Sequence, residues 1–153
     1  MIRRTLQTCT LLLIAGIPLN AEPPDFKIGP VPGGRLKVFQ KQFNQHTNVF
    51  GIHLFGSPGT PPGKLRHAAI IMAEYLDNDE DGHPDNPKVV RTLVEQEAFL
   101  FMTATQRGLE RLDHEVFQSA GFHRGQGQFA TETNPGRGRF DATLEEVLHL
   151  VTN

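Results

Sequence analysis

Residues 48–76 read NVFGIHLFGSPGTPPGKLRHAAIIMAEYL. The first part, 48–55, is short, β-branched and aromatic, which predicts a buried strand. Inside it, His53 is interpreted as a hydrogen-bonded sheet histidine, with a ligand role as the alternative. A loop rich in Gly and Pro follows at 56–63. From 64 to 76 the apolar residues recur with helical spacing, so the stretch predicts a strand that leads through a loop into a helix.

The rest of the chain continues this alternation of strands and helices. Asn86 followed by Pro87 predicts a helix start, because an Asn side chain caps a helix and proline suits its first turn. Asp141 is predicted to cap a final helix at 142–151. The other predicted elements are a strand or loop edge at 35–43, a buried strand at 98–104, an amphipathic helix at 108–119 and a short strand at 128–131. This order predicts the α/β class, as a small sheet covered by helices.

The N-terminus has the features of a signal peptide. Arg3 and Arg4 precede a short apolar run at 11–14, and Leu-Asn-Ala at 19–21 resembles a cleavage site. The apolar run is too short to span a bilayer. We therefore expect a signal peptide at 1–21, export to the periplasm or the extracellular space, a Pro/Gly-rich arm at 22–34 and a single α/β domain at 35–153.

Composition excludes several classes of protein. Removal of 1–21 leaves 132 of the 153 residues, enough for one domain with a modest core. It also removes Cys9, the only cysteine, which excludes disulfides and thiolate metal sites. Because Arg3 and Arg4 leave with this segment, the formal net charge falls from −2 to −4, which argues against a nucleic-acid partner.

The stretch 77–86, DNDEDGHPDN, concentrates aspartates around one glycine. In a calcium loop these aspartates would take positions one, three, five and nine, and Gly82 would make the sharp turn at position six. Calcium prefers six to eight oxygen ligands, and alternate residues of a turning loop can aim their carboxylates at one point. Predicted helices on both sides complete a helix-loop-helix pattern, which favours a structural calcium ion. The predicted ligands are Asp77, Asp79, Asp81, the backbone carbonyl of His83, and Asp85.

The match to an EF-hand ends at position twelve, where Lys88 replaces the usual bidentate glutamate. The loop is therefore more similar to the shorter Asp-x-Asp-x-Asp-Gly-x-x-Asp loops of thrombospondin type 3 repeats and of EF-hand-like bacterial modules. With one strong ligand missing, we expect weak binding, with a Kd on the order of 10⁻⁴ to 10⁻³ M. The alternative is a solvated acidic turn, held by side-chain hydrogen bonds to its own backbone and with Gly82 at positive φ.

The final predicted helix supports a second metal hypothesis. Glu145 and His149 lie four residues apart on its polar side, and the spacing resembles the His-Glu-x-x-His helix of zincins with its first histidine replaced. In a degenerate zincin-like metallohydrolase these two residues would bind zinc and Glu146 would be the catalytic base. A third ligand would have to come from upstream: His67, His114, His123 or Glu132. The alternative is a plain amphipathic helix with a predicted core stripe of Leu144, Val147, Leu148 and Val151.

Two stretches carry a family resemblance: HAAIIMAEYLDNDEDGHPDNPKVV at 67–90 and ETNPGRGRFDATLEEVLHLVT at 132–152. Together with the strand between them, they resemble a family of secreted, uncharacterised bacterial and marine-organism proteins. The resemblance implies no established activity. It does imply that relatives continue beyond the last helix, so that this chain is similar to an N-terminal portion.

Overall fold

A computed structural model describes residues 25–136 and 138–152 of the chain. The predicted signal peptide and the first residues of the arm lie outside these ranges. In chain order the described elements are a 3₁₀ helix (Gly34–Lys41), β1 (Gln45–Val49), β2 (Ile52–Gly56), α1 (Pro62–Leu76), α2 (Pro87–Glu95), β3 (Phe99–Thr103), α3 (Gln106–Glu110), α4 (Glu115–Gln118), β4 (Gly125–Phe129) and α5 (Ala142–Thr152).

The strands form one mixed sheet in the order β1-β2-β3-β4. β1 and β2 are an antiparallel hairpin, in which Asn48 lies opposite His53. β2 and β3 are parallel, and the connection between them contains α1 and α2. β3 and β4 are also parallel, connected through α3 and α4. The chain is therefore a small α/β fold, as predicted, because parallel neighbours need the crossovers that these helices supply.

Two hydrophobic clusters cover the two faces of the sheet, since successive side chains of a strand point to opposite sides. Leu54 and Leu100 belong to the cluster that includes the buried residues of α1, α2 and α5. The opposite cluster is dominated by phenylalanine, and its rings are Phe39, Phe43, Phe55, Phe99, Phe101, Phe117 and Phe122. Both helices that flank the acidic stretch 77–86 are thus anchored on the aliphatic face of the sheet.

The stretch 48–55 was predicted as one strand, and this prediction is wrong because a tight turn divides it. Phe50 and Gly51 both have positive φ, of 50° and 95°. Such a pair forms the two-residue turn that fits the twist of a hairpin. The Asn48 side chain supports the turn by accepting a hydrogen bond of 2.9 Å from the Gly51 backbone N–H. The bulky Phe50 conceals this turn, since Asn or Gly would be expected at such a position.

The segment predicted as a strand or loop edge at 35–43 is helical instead. The 3₁₀ helix at Gly34–Lys41 buries Phe39 completely. The Phe39 ring stacks on Phe55 and on Phe117, with ring centroids 4.0 and 4.9 Å apart. Aromatic packing on the sheet therefore decides the conformation here, and the weak alternation of the sequence does not.

Two other boundaries differ from the prediction. The single helix predicted at 108–119 is divided into α3 and α4, and the Asp113 side chain begins the second by accepting a hydrogen bond from the Glu115 N–H. The short strand predicted at 128–131 is β4, which begins at Gly125. Gly125 and Gly127 of β4 lie against phenylalanine rings of β3, and the absence of side chains at these two positions leaves room for the rings.

The final helix is present as predicted, but its buried face is different. Val147 and Leu150 are buried in the aliphatic cluster. Leu144 and Leu148 were assigned to the core stripe, which is wrong, because these residues are 46% and 42% exposed. The helix is rotated so that Ala142 and Thr143 also face inward, an orientation set by its packing on β4 and α1.

The described part of the Pro/Gly-rich arm is attached to the sheet. Gly29 forms an isolated antiparallel bridge with His46, with hydrogen bonds of 2.9 and 2.8 Å in the two directions. Val31 is buried in the phenylalanine cluster. Within the described ranges, none of the helices has the length and apolar character needed to cross a membrane.

Candidate metal centre

The acidic stretch connects the end of α1 to the start of α2. Asp77 ends α1, and its backbone N–H still bonds to the Ala73 carbonyl at 2.8 Å. Asn86 caps α2 as predicted, and its side chain accepts a hydrogen bond of 3.2 Å from the Lys88 N–H. The Asp85 N–H donates to the Leu76 carbonyl at 2.9 Å, which holds the two ends of the loop together.

Asp77 organises the interior of the loop. It is only 7% exposed, although carboxylates are rarely buried without partners. Its Oδ1 accepts a hydrogen bond of 3.1 Å from the Asp81 N–H, and its Oδ2 accepts one of 2.9 Å from the Gly82 N–H. Gly82 has a φ of 86°, a conformation that glycine adopts without strain. The turn at Gly82 therefore wraps the backbone around the Asp77 carboxylate.

Three carboxylates converge in this loop. Asp77, Asp79 and Asp85 each offer one oxygen, and these oxygens all lie within 4.8 Å of one another. Asp85 is held in place because its Oδ2 accepts a hydrogen bond of 2.9 Å from the Asn78 N–H. Oxygen atoms at such separations can share one cation, so these three aspartates could hold a metal ion.

The electrostatics of the loop favour a cation. The charge of Asp81 is the largest influence on Asp79 and raises the pKa of its carboxyl, and Asp85 adds to the effect. A raised pKa means that the neighbouring negative charges disfavour ionisation of this exposed group. A bound cation would remove that repulsion, since it places positive charge among the carboxylates.

Asp81 does not join the converging carboxylates. Asp81 Oδ1 accepts a hydrogen bond of 2.8 Å from the His83 N–H, which closes a short side-chain turn. The Asp81 carboxylate is not part of the group formed by Asp77, Asp79 and Asp85. The His83 side chain is exposed, and the prediction for this residue concerns its backbone carbonyl alone. The structure therefore brings together three of the four aspartates named from the sequence.

The second predicted metal site lies on the polar side of α5. Glu145 Oε1 and His149 Nε2 are 3.9 Å apart, and both side chains are largely exposed. Glu146, the predicted base, accepts a hydrogen bond from the Gln126 side chain on β4. Burial raises the pKa of Glu132 although a hydrogen bond from the Phe129 N–H opposes it, and the charges of Glu146 and Glu145 add to the rise.

A third zinc ligand is not assembled at α5 within the described part of the chain. Across 25–136 and 138–152, three or more potential ligand atoms from His, Cys, Asp or Glu lie within 4.8 Å of one another only in the aspartate group of the acidic stretch. His67 is bonded to Asp141 at 2.6 Å. The proposed zinc site at Glu145 and His149 therefore stays a prediction, with two candidate ligands and no third one beside them in the described ranges.

Two side-chain pairs were not anticipated from the sequence. His67 and Asp141 are 74 residues apart in the chain, and no local pattern relates them. His46 and His53 meet across the hairpin, with His46 Nε2 at 3.0 Å from His53 Nδ1. This second pair could have been inferred from the sequence only if the turn at Phe50 and Gly51 had been recognised, since the turn sets which residues face each other.

No protein-family model matches the chain, and no curated protein or solved structure is significantly similar to it. The resemblance to a secreted protein family therefore stays a prediction. Within the described ranges, the acidic stretch is where three potential ligand side chains come closest to one another.

Proposed function

We propose that the chain is an exported α/β domain that binds calcium through the acidic stretch 77–86, and that the ion is structural. One observation carries the proposal: the carboxylate oxygens of Asp77, Asp79 and Asp85 lie within 4.8 Å of one another. The spacing of the aspartates around Gly82 supports it independently, because the same spacing is found in known calcium loops.

The donor set favours calcium over transition metals. The three converging side chains offer oxygen alone, which suits hard cations, whereas zinc and copper prefer imidazole or thiolate. Calcium also tolerates irregular geometry and takes water for the remaining positions. Magnesium needs near-ideal octahedral geometry and sheds water reluctantly, so a loop in which backbone hydrogen bonds already hold Asp77 and Asp85 suits it less well. The His83 carbonyl and Asp81 are the remaining proposed ligands, and Asp81 would have to turn from the His83 N–H to join the other three carboxylates.

The role of the ion follows from its place between α1 and α2. Asp77 belongs to the end of α1, and Asp85 precedes the Asn86 cap of α2, so an ion bound by both joins the two helices. The ion would also neutralise negative charge at the end of α1, where the helix dipole already disfavours carboxylates. An ion that links two helices in this way stabilises the domain and requires no catalytic residue.

Weak binding is compatible with this role because the protein is proposed to be exported. A Kd on the order of 10⁻⁴ to 10⁻³ M is typical of extracellular calcium modules. The proposal of export is based on the predicted signal peptide at 1–21. It is tested by expressing the whole chain in a bacterial host that secretes proteins through signal peptides. We expect a mature N-terminus near Glu22, read by N-terminal sequencing of the secreted protein.

Calcium binding is tested by thermal unfolding of the mature chain after treatment with a chelator. With a Kd of about 1 mM, 10 mM calcium should stabilise the fold by about 1.4 kcal/mol. This corresponds to a rise in Tm of roughly 4 to 6 °C. The same concentration of magnesium should give a clearly smaller rise.

Asp79→Asn is the most informative variant, because Asp79 is exposed and the change removes its charge while it keeps the size of the side chain. We expect it to abolish most of the calcium response. Glu80→Gln is the matched control, since it removes the same charge from the same loop at an exposed residue outside the aspartate group. Equal calcium responses in the two variants would refute the site. Asp77 is less suitable, because its carboxylate accepts two backbone hydrogen bonds.

The alternative function is a degenerate zincin-like metallohydrolase with Glu145 and His149 as zinc ligands and Glu146 as the base. The approach of Glu145 to His149, at 3.9 Å, favours it. On this proposal His149→Ala lowers the zinc bound by the purified chain. Equal zinc in the wild type and in this variant would count against the enzyme.

A further inference from the structure

The β1–β2 hairpin places two histidine rings in contact on the phenylalanine face of the sheet. His46 Nε2 lies 3.0 Å from His53 Nδ1. Both rings are partly buried and pack beside Phe55, with centroid distances of 5.3 Å for His46 and 6.0 Å for His53. The strand register fixes this approach, because His46 pairs with Phe55 and Asn48 pairs with His53.

Asn48 determines which nitrogen of His53 carries a proton. Its Oδ1 accepts the hydrogen bond from the Gly51 N–H, so its Nδ2 is the atom that faces His53 Nδ1, at 3.3 Å. An amide N–H donates, so His53 Nδ1 must present a lone pair and its proton resides on Nε2. In the contact between the rings, His46 Nε2–H is therefore the donor. The single lone pair of His53 Nδ1 is thus shared between two donors, the Asn48 amide and His46 Nε2–H.

The surroundings of the two rings disfavour their protonation. Burial, and then the neighbouring His53, lower the pKa of His46 to about 4. Burial also lowers the pKa of His53, although the charge of Glu97 acts in the opposite direction. Glu97 is itself paired with Arg35 at 3.0 Å. Uncharged imidazole is the form that binds metal ions.

We propose that His46 Nε2 and His53 Nδ1 together form a binding site for a divalent transition metal of the zinc, copper or nickel type. Two nitrogens on a tetrahedral zinc ion are about 3.3 Å apart, given Zn–N distances of about 2.0 to 2.1 Å. The observed separation of 3.0 Å needs little adjustment to reach that value. Water molecules complete the coordination.

Metal binding at this site requires a shift of one proton and no net release. His46 moves its proton from Nε2 to Nδ1, which frees the Nε2 lone pair while the ring stays neutral. The metal ion then replaces the hydrogen bond between the rings and the contact from Asn48. The site is separate from the acidic stretch in both position and chemistry, since it offers nitrogen donors on a rigid hairpin and the stretch offers oxygen donors.

The test is equilibrium dialysis of the mature chain against zinc, with bound metal measured by elemental mass spectrometry. We expect one zinc per chain in the wild type and a loss of affinity of more than about tenfold in His46→Gln and in His53→Gln. The control is Glu95→Gln, which removes an exposed potential ligand that belongs to none of the proposed metal sites. This variant should bind zinc as the wild type does.

Equal zinc in all variants would overturn the proposal, and so would a loss confined to His149→Ala, which would assign the zinc to α5 instead. A second measurement does not depend on the folding of a variant. The wild-type chain loaded with one equivalent of copper(II) should show hyperfine coupling to two imidazole nitrogens by electron paramagnetic resonance. Coupling to one nitrogen or to none would refute a site built from both rings.

Discussion

His67 Nε2 lies 2.6 Å from Asp141 Oδ2 and joins the first half of α1 to the residue that precedes α5. The other oxygen of this carboxylate accepts hydrogen bonds from the Thr143 N–H and the Asn134 N–H, both at 3.1 Å. The side chains of His67 and Asp141 are only 17% and 9% exposed. One carboxylate therefore caps a helix, fixes the preceding loop and connects two helices that cover the same face of the sheet.

Asp141→Ala should be among the more damaging single changes outside the apolar core. It removes a helix cap, worth about 1 kcal/mol, and a charge-assisted hydrogen bond, worth about 1.5 to 3 kcal/mol. We expect a cost of about 2 to 4 kcal/mol in urea unfolding at neutral pH. Asp141→Asn is the matched control, because it keeps an oxygen for the cap and loses the charge opposite His67. Equal stability of the two variants would contradict the role assigned to the cap.

The stability contributed by Asp141 should disappear in acid. Burial raises the pKa of this carboxyl, but the hydrogen bonds from His67, Thr143 and Asn134 outweigh it and hold the pKa below its ordinary value. A depressed folded-state pKa gives stability that is present above the unfolded value of about 3.9 and is lost as the pH falls through the folded value. Urea midpoints of wild type and Asp141→Asn should therefore differ at about pH 5 and converge toward about pH 2. A difference between the two urea midpoints that persists at the lowest pH would exclude this explanation.

Local signals in the sequence predicted part of the fold well. Asn86 with Pro87 marks the start of α2, and the helical spacing of 64–76 identifies α1, because capping and periodicity are properties of a few neighbouring residues. The run 98–104 is a buried strand for a similar reason, since β3 is covered on both faces. These elements fix the α/β class.

Features that depend on distant contacts were beyond local reasoning. The turn at Phe50 is hidden inside an apolar run, and the 3₁₀ helix forms because Phe39 packs between rings from other segments. In the acidic stretch, the spacing identified the aspartates, yet it could not show that Asp81 would bond to the His83 N–H and stand outside the converging group. The path of the loop between α1 and α2 decides which partner each carboxylate oxygen contacts, and this path depends on how the two helices pack on the sheet.

Gly127→Ala should disrupt the contact between β3 and β4. A Cβ at this position would lie 2.7 Å from the Phe101 ring and 2.8 Å from Leu109 Cδ1, far inside normal contact distance. Because the ring is packed in the phenylalanine cluster and cannot move freely, we expect a cost of about 1 to 3 kcal/mol. Gly63→Ala in α1 is the control, since nothing lies within 4 Å of its Cβ position, and it should be neutral or slightly stabilising. Similar urea midpoints for both variants would show that the sheet can absorb the added methyl group.

The orientation of α5 is tested by comparing Val147→Ala with Leu148→Ala. Val147 is fully buried in the aliphatic cluster, so its truncation should cost about 2 kcal/mol through lost apolar burial and a small cavity. Leu148 is 42% exposed, and its truncation should cost less than about 1 kcal/mol, although more atoms are removed. Chemical denaturation of the two variants at one pH measures the difference. The reverse order of costs would mean that α5 packs through the stripe predicted from the sequence, and that Glu145 and His149 face different surroundings from those described.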